Sequence, residues 1–226
     1  MEKPMKMAIN VIICHLLFRV KYQNLTELEN LKRGVICPNH TSIFDPFFIY
    51  PKTDNLHIMA KAEIFKNKLL AKLFLHYNVF PVDRNKVDVK STLTATNIFK
   101  ENTGNVQFLI FPEGKVIKKN EPIGKVRNGA VFVAGTANVP ILPVYISRNV
   151  RPFRKITVTF GKPMEIDKEI LESKDKIREK SKELLDNIYK LKEEQDERFY
   201  NSILQRKDRR ATHLWHYKKR KKICVF

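Results

Sequence analysis

The chain has 226 residues, 43% of them apolar, and a formal net charge of +19 from 43 Lys+Arg against 24 Asp+Glu. That length and apolar content exclude a disordered chain and fit one domain, or one domain with an appendage, around a substantial core. The charge favours anionic partners over cationic ones: nucleic acid, an anionic membrane surface, or acidic substrates and carriers.

The first element is an apolar segment from Met5 to Tyr22. Its apolar part, Met7 to Phe18, contains Asn10 and His15 and falls short of the about 20 residues a bilayer core requires. Arg19-Val20-Lys21 follows in place of a small-residue cleavage site, so a signal peptide is not expected. Lys3, Lys6, Arg19 and Lys21 flank the segment, which reads as an interfacial helix or as a helix packed on the core.

Gly34 to Cys37 then reads as a buried strand ending at Pro38, and Leu56 to Met59 as a second. Lys61 to His76 carries Ile64, Phe65, Leu69, Leu73 and Phe74 at helical spacing. Val79 to Val82 is a short strand and Val87 to Glu101 a helix. Val106 to Phe111 is a central strand, apolar except for Gln107. Gly129 to Ala137 predicts a small-residue helix, and Ile141 to Ser147 and Ile156 to Phe160 two more strands. This alternation predicts an α/β fold: a mixed, largely parallel central sheet flanked by helices.

From Asp167 onward the chain is highly charged, with Ile170, Ile177, Leu184, Ile188 and Leu191 at roughly helical intervals. That pattern predicts a long charged helix, as one piece or two. Between Arg206 and Lys222, nine Lys/Arg stand against one Asp. The tail reads as a solvated terminus, or as an attachment to phosphate or anionic lipid. His213, Trp215, His216 and Tyr217 also permit base stacking, but no nucleic-acid-binding fold signature accompanies them. No nucleic-acid partner is expected. Cys14, Cys37 and Cys224 are scattered, with neither a disulfide framework nor metal-ligand spacing, which fits a reduced, intracellular compartment.

The chemistry concentrates in Pro38 to Phe47, PNHTSIFDPF. His40 falls in the loop between a strand and a helix. Asp45-Pro46 reads as a helix N-cap followed by its first residue. In such a loop the carboxylate can orient the imidazole, leaving the other ring nitrogen to take a proton from a hydroxyl. Taken alone, the decapeptide also reads as a packed turn with a structural His40 and a capping Asp45. Cys37, three residues earlier, offers a covalent nucleophile, but beside Val35 and Ile36 it reads as core.

Four stretches, in this order and spacing, resemble the motifs of the glycerolipid acyltransferase family, the 1-acylglycerol-3-phosphate acyltransferase group with its HxxxxD motif. They are Asn39-His40-Thr41-Ser42-Ile43-Phe44-Asp45, Phe80-Pro81-Val82-Asp83-Arg84, Phe111-Pro112-Glu113-Gly114, and Val139 to Val144. The resemblance runs from about Leu31 to Gly161. Lys115 stands where the family usually has threonine, and Arg127 where it often has lysine.

The resemblance implies acyl transfer from a thioester, on acyl carrier protein or coenzyme A, to the free hydroxyl of lysophosphatidic acid in phospholipid biosynthesis. Glycerol-3-phosphate or another lysolipid is the alternative acceptor. It implies His40 as general base, Asp45 as its orienter, Arg84 as phosphate ligand, and Glu113 with Gly114 as shapers of the acceptor site. Arg127 is a second phosphate candidate. No metal or cofactor is implied. A two-chain lipid product implies an anionic membrane surface as partner, with the protein peripheral or monotopic on the cytoplasmic face. The expected organisation is an interfacial helix at 1–22, the acyltransferase domain at 23–166, and a charged helix with a basic tail at 167–226.

Overall fold

The computed structural model describes residues 2–66, 71, 78–82, 89–117, 125–148 and 150–223. The chain forms two compact units, Met1–Leu191 and Lys192–Phe226. In the first, seven strands make one sheet: β1 (Arg19–Gln23), β2 (Arg33–Pro38), β3 (Leu56–Lys61), β4 (Val79–Val82), β5 (Val106–Leu109), β6 (Ile141–Ile146) and β7 (Lys155–Phe160). Their spatial order is β1-β7-β6-β2-β5-β3-β4. All neighbours are parallel except β6 and β7, which run antiparallel. The sheet is therefore mixed and largely parallel, as the alternation predicts.

β2, β5 and β6 are buried nearly throughout, which explains their unbroken apolar runs. Alternate residues point to opposite faces. Val35, Cys37, Phe108 and Ile141 join one cluster with α4 (Val89–Glu101), α5 (Gly129–Ala137) and the first part of α6 (Lys174–Ile223). Ile36, Leu109 and Leu142 join the other, with the N-terminal helix, α2 (Leu25–Glu29) and α3 (Asp45–Ile49). Ile177, Leu184, Ile188 and Leu191 of α6 are all buried in the first cluster, as their spacing predicts.

The N-terminal helix differs from expectation. Helix α1 (Glu2–Ile9) widens into a π-helical stretch, Asn10–Leu17, and ends there. The Phe18 N–H bonds the Ile13 carbonyl five residues back at 2.8 Å. Arg19 and Lys21, read from sequence as the helix's basic flank, lie instead in β1, paired with β7. Each bond of the wide turn spans five residues, so Ile9, Ile13, Cys14, Leu17 and Phe18 come to face the core. Met7, Val11, Ile12 and Leu16 stand exposed on the other side. Among the described residues no helix is long and apolar enough to cross a membrane.

Further along, Lys61 still belongs to β3, and Ala62–Lys66 form a short 3-10 helix where the sequence predicts a regular one. Most of the rest of that predicted helix, residues 67–70 and 72–76, lies outside the described residues. In the second unit the chain is helical from Lys192 to Ile223, with Lys192 and Asp196 paired at 2.6 Å.

Candidate active site

The site gathers at the carboxyl ends of three neighbouring parallel strands, β6, β2 and β5, where open α/β sheets hold their ligands. β2 delivers Asn39 and His40, β5 delivers Phe111 to Gly114, and β6 delivers Arg148.

Asn39 is wholly buried and behaves as an extra strand residue. Its Nδ2 donates to the Ile146 carbonyl at 2.9 Å, and its Oδ1 accepts the Ile146 N–H at 2.7 Å. This fixes the start of the His40 loop. The His40 peptide is held on both sides by the segment after β5. Its N–H donates to Glu113 Oε2 at 2.8 Å, and its carbonyl accepts the Ile117 N–H at 2.8 Å. The imidazole stacks on Phe111, with ring centroids 3.9 Å apart.

His40 Nδ1 lies 2.9 Å from Asp45 Oδ2, with 12% of the histidine side chain exposed and none of the aspartate's. The same oxygen accepts the N–H groups of Thr41 at 2.6 Å and Ser42 at 2.8 Å. Asp45 Oδ1 accepts the Thr41 hydroxyl at 3.0 Å. A carboxylate oxygen accepts, so Nδ1 is the donor of the pair; in the neutral ring this leaves the lone pair on Nε2. Nε2 has no protein partner among the described residues. Asp45 is not the N-cap its sequence suggests: Phe44 occupies that position. The carboxylate turns back onto the loop, where three N–H groups converge, rather than onto the helix amides ahead of it.

Glu113 is buried, with its other oxygen, Oε1, accepting the Tyr189 hydroxyl at 2.6 Å. Gly114 has φ +68, the left-handed region that favours glycine. A Cβ there would collide with Arg127 Nε and Cδ, so the arginine stem passes directly over this glycine. The Arg127 N–H also donates to the Pro112 carbonyl at 2.7 Å. The structure thus brings together His40 with Asp45 and Glu113, and Glu113-Gly114 with Arg127. Arg84 lies outside the described residues.

Sequence reasoning misses Phe111 as the platform under His40, and Tyr189 with Arg148 behind Glu113. Arg148 carries a readable signal: like Arg84, it is a cation just past a strand. Tyr189 carries none, because it is one more residue on a charged helix.

The Acyltransferase family model matches residues 19–147. The 1-acyl-sn-glycerol-3-phosphate acyltransferase of Streptococcus pneumoniae (strain ATCC BAA-255 / R6) is 23% identical over 153 residues, covering 64% of this chain and 55% of that protein. The protein of the same name from Bacillus subtilis (strain 168) is 33% identical over 88 residues, covering 39% of this chain and 41% of that protein. The chain thus spans about half the length of these curated relatives, or less. The crystal structure of the 1-acyl-sn-glycerophosphate (LPA) acyltransferase PlsC from Thermotoga maritima superposes with a TM-score of 0.65 at 18% identity. That match covers 85% of this chain and 79% of the other, and shows a shared fold. With more than half of its residues inside the family match, the chain belongs to the acyltransferase family.

Proposed function

We propose that this chain transfers a fatty acyl group from an acyl thioester to the free hydroxyl of lysophosphatidic acid, giving phosphatidic acid. The observation that carries the reading is the His40–Asp45 pair at 2.9 Å, with Nε2 unpartnered among the described residues. In the proposed reaction Nε2 takes the acceptor hydroxyl's proton as that oxygen attacks the thioester carbonyl. The carbonyl oxygen gains the charge in a tetrahedral intermediate. Collapse breaks the C–S bond, and the departing thiolate takes the proton from Nε2. A base so placed contributes about 10²–10⁴-fold. Asp45 steadies the imidazolium formed between the two proton transfers.

The route uses no nucleophile on the protein. Cys37 is fully buried, and burial pushes its thiol far above the ordinary range, which counts against an acyl-enzyme. Arg127, and Arg84 on sequence grounds, are proposed as ligands of the acceptor phosphate, with Glu113 and Gly114 setting the space beside them. The names of the curated relatives support lysophosphatidic acid as acceptor. The net charge of +19 suits either anionic donor, acyl carrier protein or acyl-coenzyme A.

An anionic membrane surface is the proposed platform, with the chain attached peripherally. The exposed face of Met7, Val11, Ile12 and Leu16 supports this, as does Ile43, exposed between His40 and Asp45. The test is a panel of acceptors: purified protein on anionic vesicles with labelled acyl thioester and, in parallel, lysophosphatidic acid, glycerol-3-phosphate or another lysolipid. Fastest product formation from lysophosphatidic acid is expected. Product from a different acceptor alone would reassign the acceptor, and no product from any would contradict acyl transfer.

A further inference from the structure

We propose that Tyr189 and Arg148 are positioning residues for the base: they lock Glu113, and Glu113 holds the His40 loop. The inference rests on His40 acting as the base of the reaction proposed above. Arg148 Nη2 donates to the Tyr189 hydroxyl at 2.8 Å. A guanidinium has only donors, so the Tyr189 hydroxyl must direct its own hydrogen elsewhere. Glu113 Oε1, 2.6 Å away, is where it goes. The remaining Glu113 oxygen takes the His40 N–H at 2.8 Å. Each oxygen of this buried carboxylate therefore has a named donor, as a buried charge requires.

The tyrosine is itself fixed. Tyr145 packs edge-on to its ring at 6.1 Å, and the Arg148 guanidinium lies 5.4 Å from the ring centre. Burial, then the bond to Glu113, pushes the Tyr189 hydroxyl well above the ordinary tyrosine range, so it remains a donor at any working pH. The connection from α6 to the base is continuous: Arg148 to Tyr189, Tyr189 to Glu113, Glu113 to the His40 peptide, and His40 to Asp45. A misplacement of about 1 Å at a reacting group costs about 10²-fold, so a group two bonds removed can still govern the rate.

The test compares wild type, Tyr189→Phe, Glu113→Gln and the double variant. Tyr189→Phe is expected to lower kcat about tenfold or more, with KM for the thioester unchanged. If Tyr189 acts through Glu113, the double variant is no slower than Glu113→Gln alone. Losses that multiply in the double variant would overturn the proposal. A second arm needs no substrate: hydrogen exchange at the His40 amide, read by NMR. Exchange at least tenfold faster in Tyr189→Phe, with the Val35 and Leu109 amides unchanged, is the expected result. Unchanged His40 exchange would sink the proposal whatever the activity. If no acceptor is acylated but His40 exchange accelerates as expected, the acyl-transfer reading falls and the positioning stands. Should Tyr189→Phe fold poorly, Arg148→Met leaves the tyrosine in place, removes the donor that orients it, and gives the same two readouts.

Discussion

Asn39 and Ile146 exchange two hydrogen bonds, side chain to backbone, at 2.9 and 2.7 Å. The pair extends the β2–β6 ladder past Pro38, which has no N–H of its own to offer. Asn39→Ala leaves the Ile146 N–H and carbonyl buried without these partners. The expected loss is about 2–4 kcal/mol of stability, with a fall in activity because the His40 loop begins here. Chemical denaturation of the two proteins measures it, and an unchanged midpoint would contradict the role assigned to Asn39.

Asp45→Asn separates charge from geometry. An asparagine fits with its oxygen toward the three N–H donors and its amide nitrogen toward the Thr41 hydroxyl. The loop and the tautomer survive, while the charge facing the developing imidazolium is lost. A kcat lower by about 10²-fold or more is expected, with only a small drop in Tm. Near-normal kcat would mean that Asp45 only organises the loop.

Gly114→Ala puts a methyl group where Arg127 passes and forces alanine into positive φ. Arg127 must shift. KM for the phosphorylated acceptor is expected to rise more than kcat falls, with about 1 kcal/mol of stability lost to backbone strain. Steady-state kinetics over acceptor concentration decides this. An unaltered KM would remove Arg127 from the acceptor site.

Alkaline pH should destabilise the fold. Burial pushes the Cys14 and Cys37 thiols and the Tyr22 and Tyr189 hydroxyls above their ordinary values. The unfolded chain therefore sheds these protons first as pH rises. Their stabilisation is complete below about pH 8.5, the unfolded thiol value, and is lost progressively above it, with the tyrosines joining beyond about pH 10. For a fully buried thiol such as Cys37 the slope is about 1.4 kcal/mol per pH unit. Urea midpoints should fall between pH 8 and pH 10.5, and a flat or rising series would contradict this.

Much of the sheet was legible because buried parallel strands are written as short apolar runs. Gly34 to Cys37 sits within β2, and Gly129 to Ala137 is a helix end to end. The N-terminal boundary was not. Arg19 and Lys21 alternate with the more buried Val20 and Tyr22, which is strand periodicity, yet they also resemble a basic helix flank. The His40–Asp45 pair was legible from its motif, but the direction in which Asp45 faces was not, because nothing local says that two loop amides converge on it. Tyr189 stands 76 residues from Glu113, and only the packing of α6 against the sheet brings the two together.

Labelled acyl transfer to lysophosphatidic acid, compared between wild type and His40→Ala at matched stability, tests directly whether His40 is the base. Phosphatidic acid is expected from the wild type, and a rate lower by about 10²–10⁴-fold from the variant. Equal rates would make His40 a structural residue and contradict the mechanism.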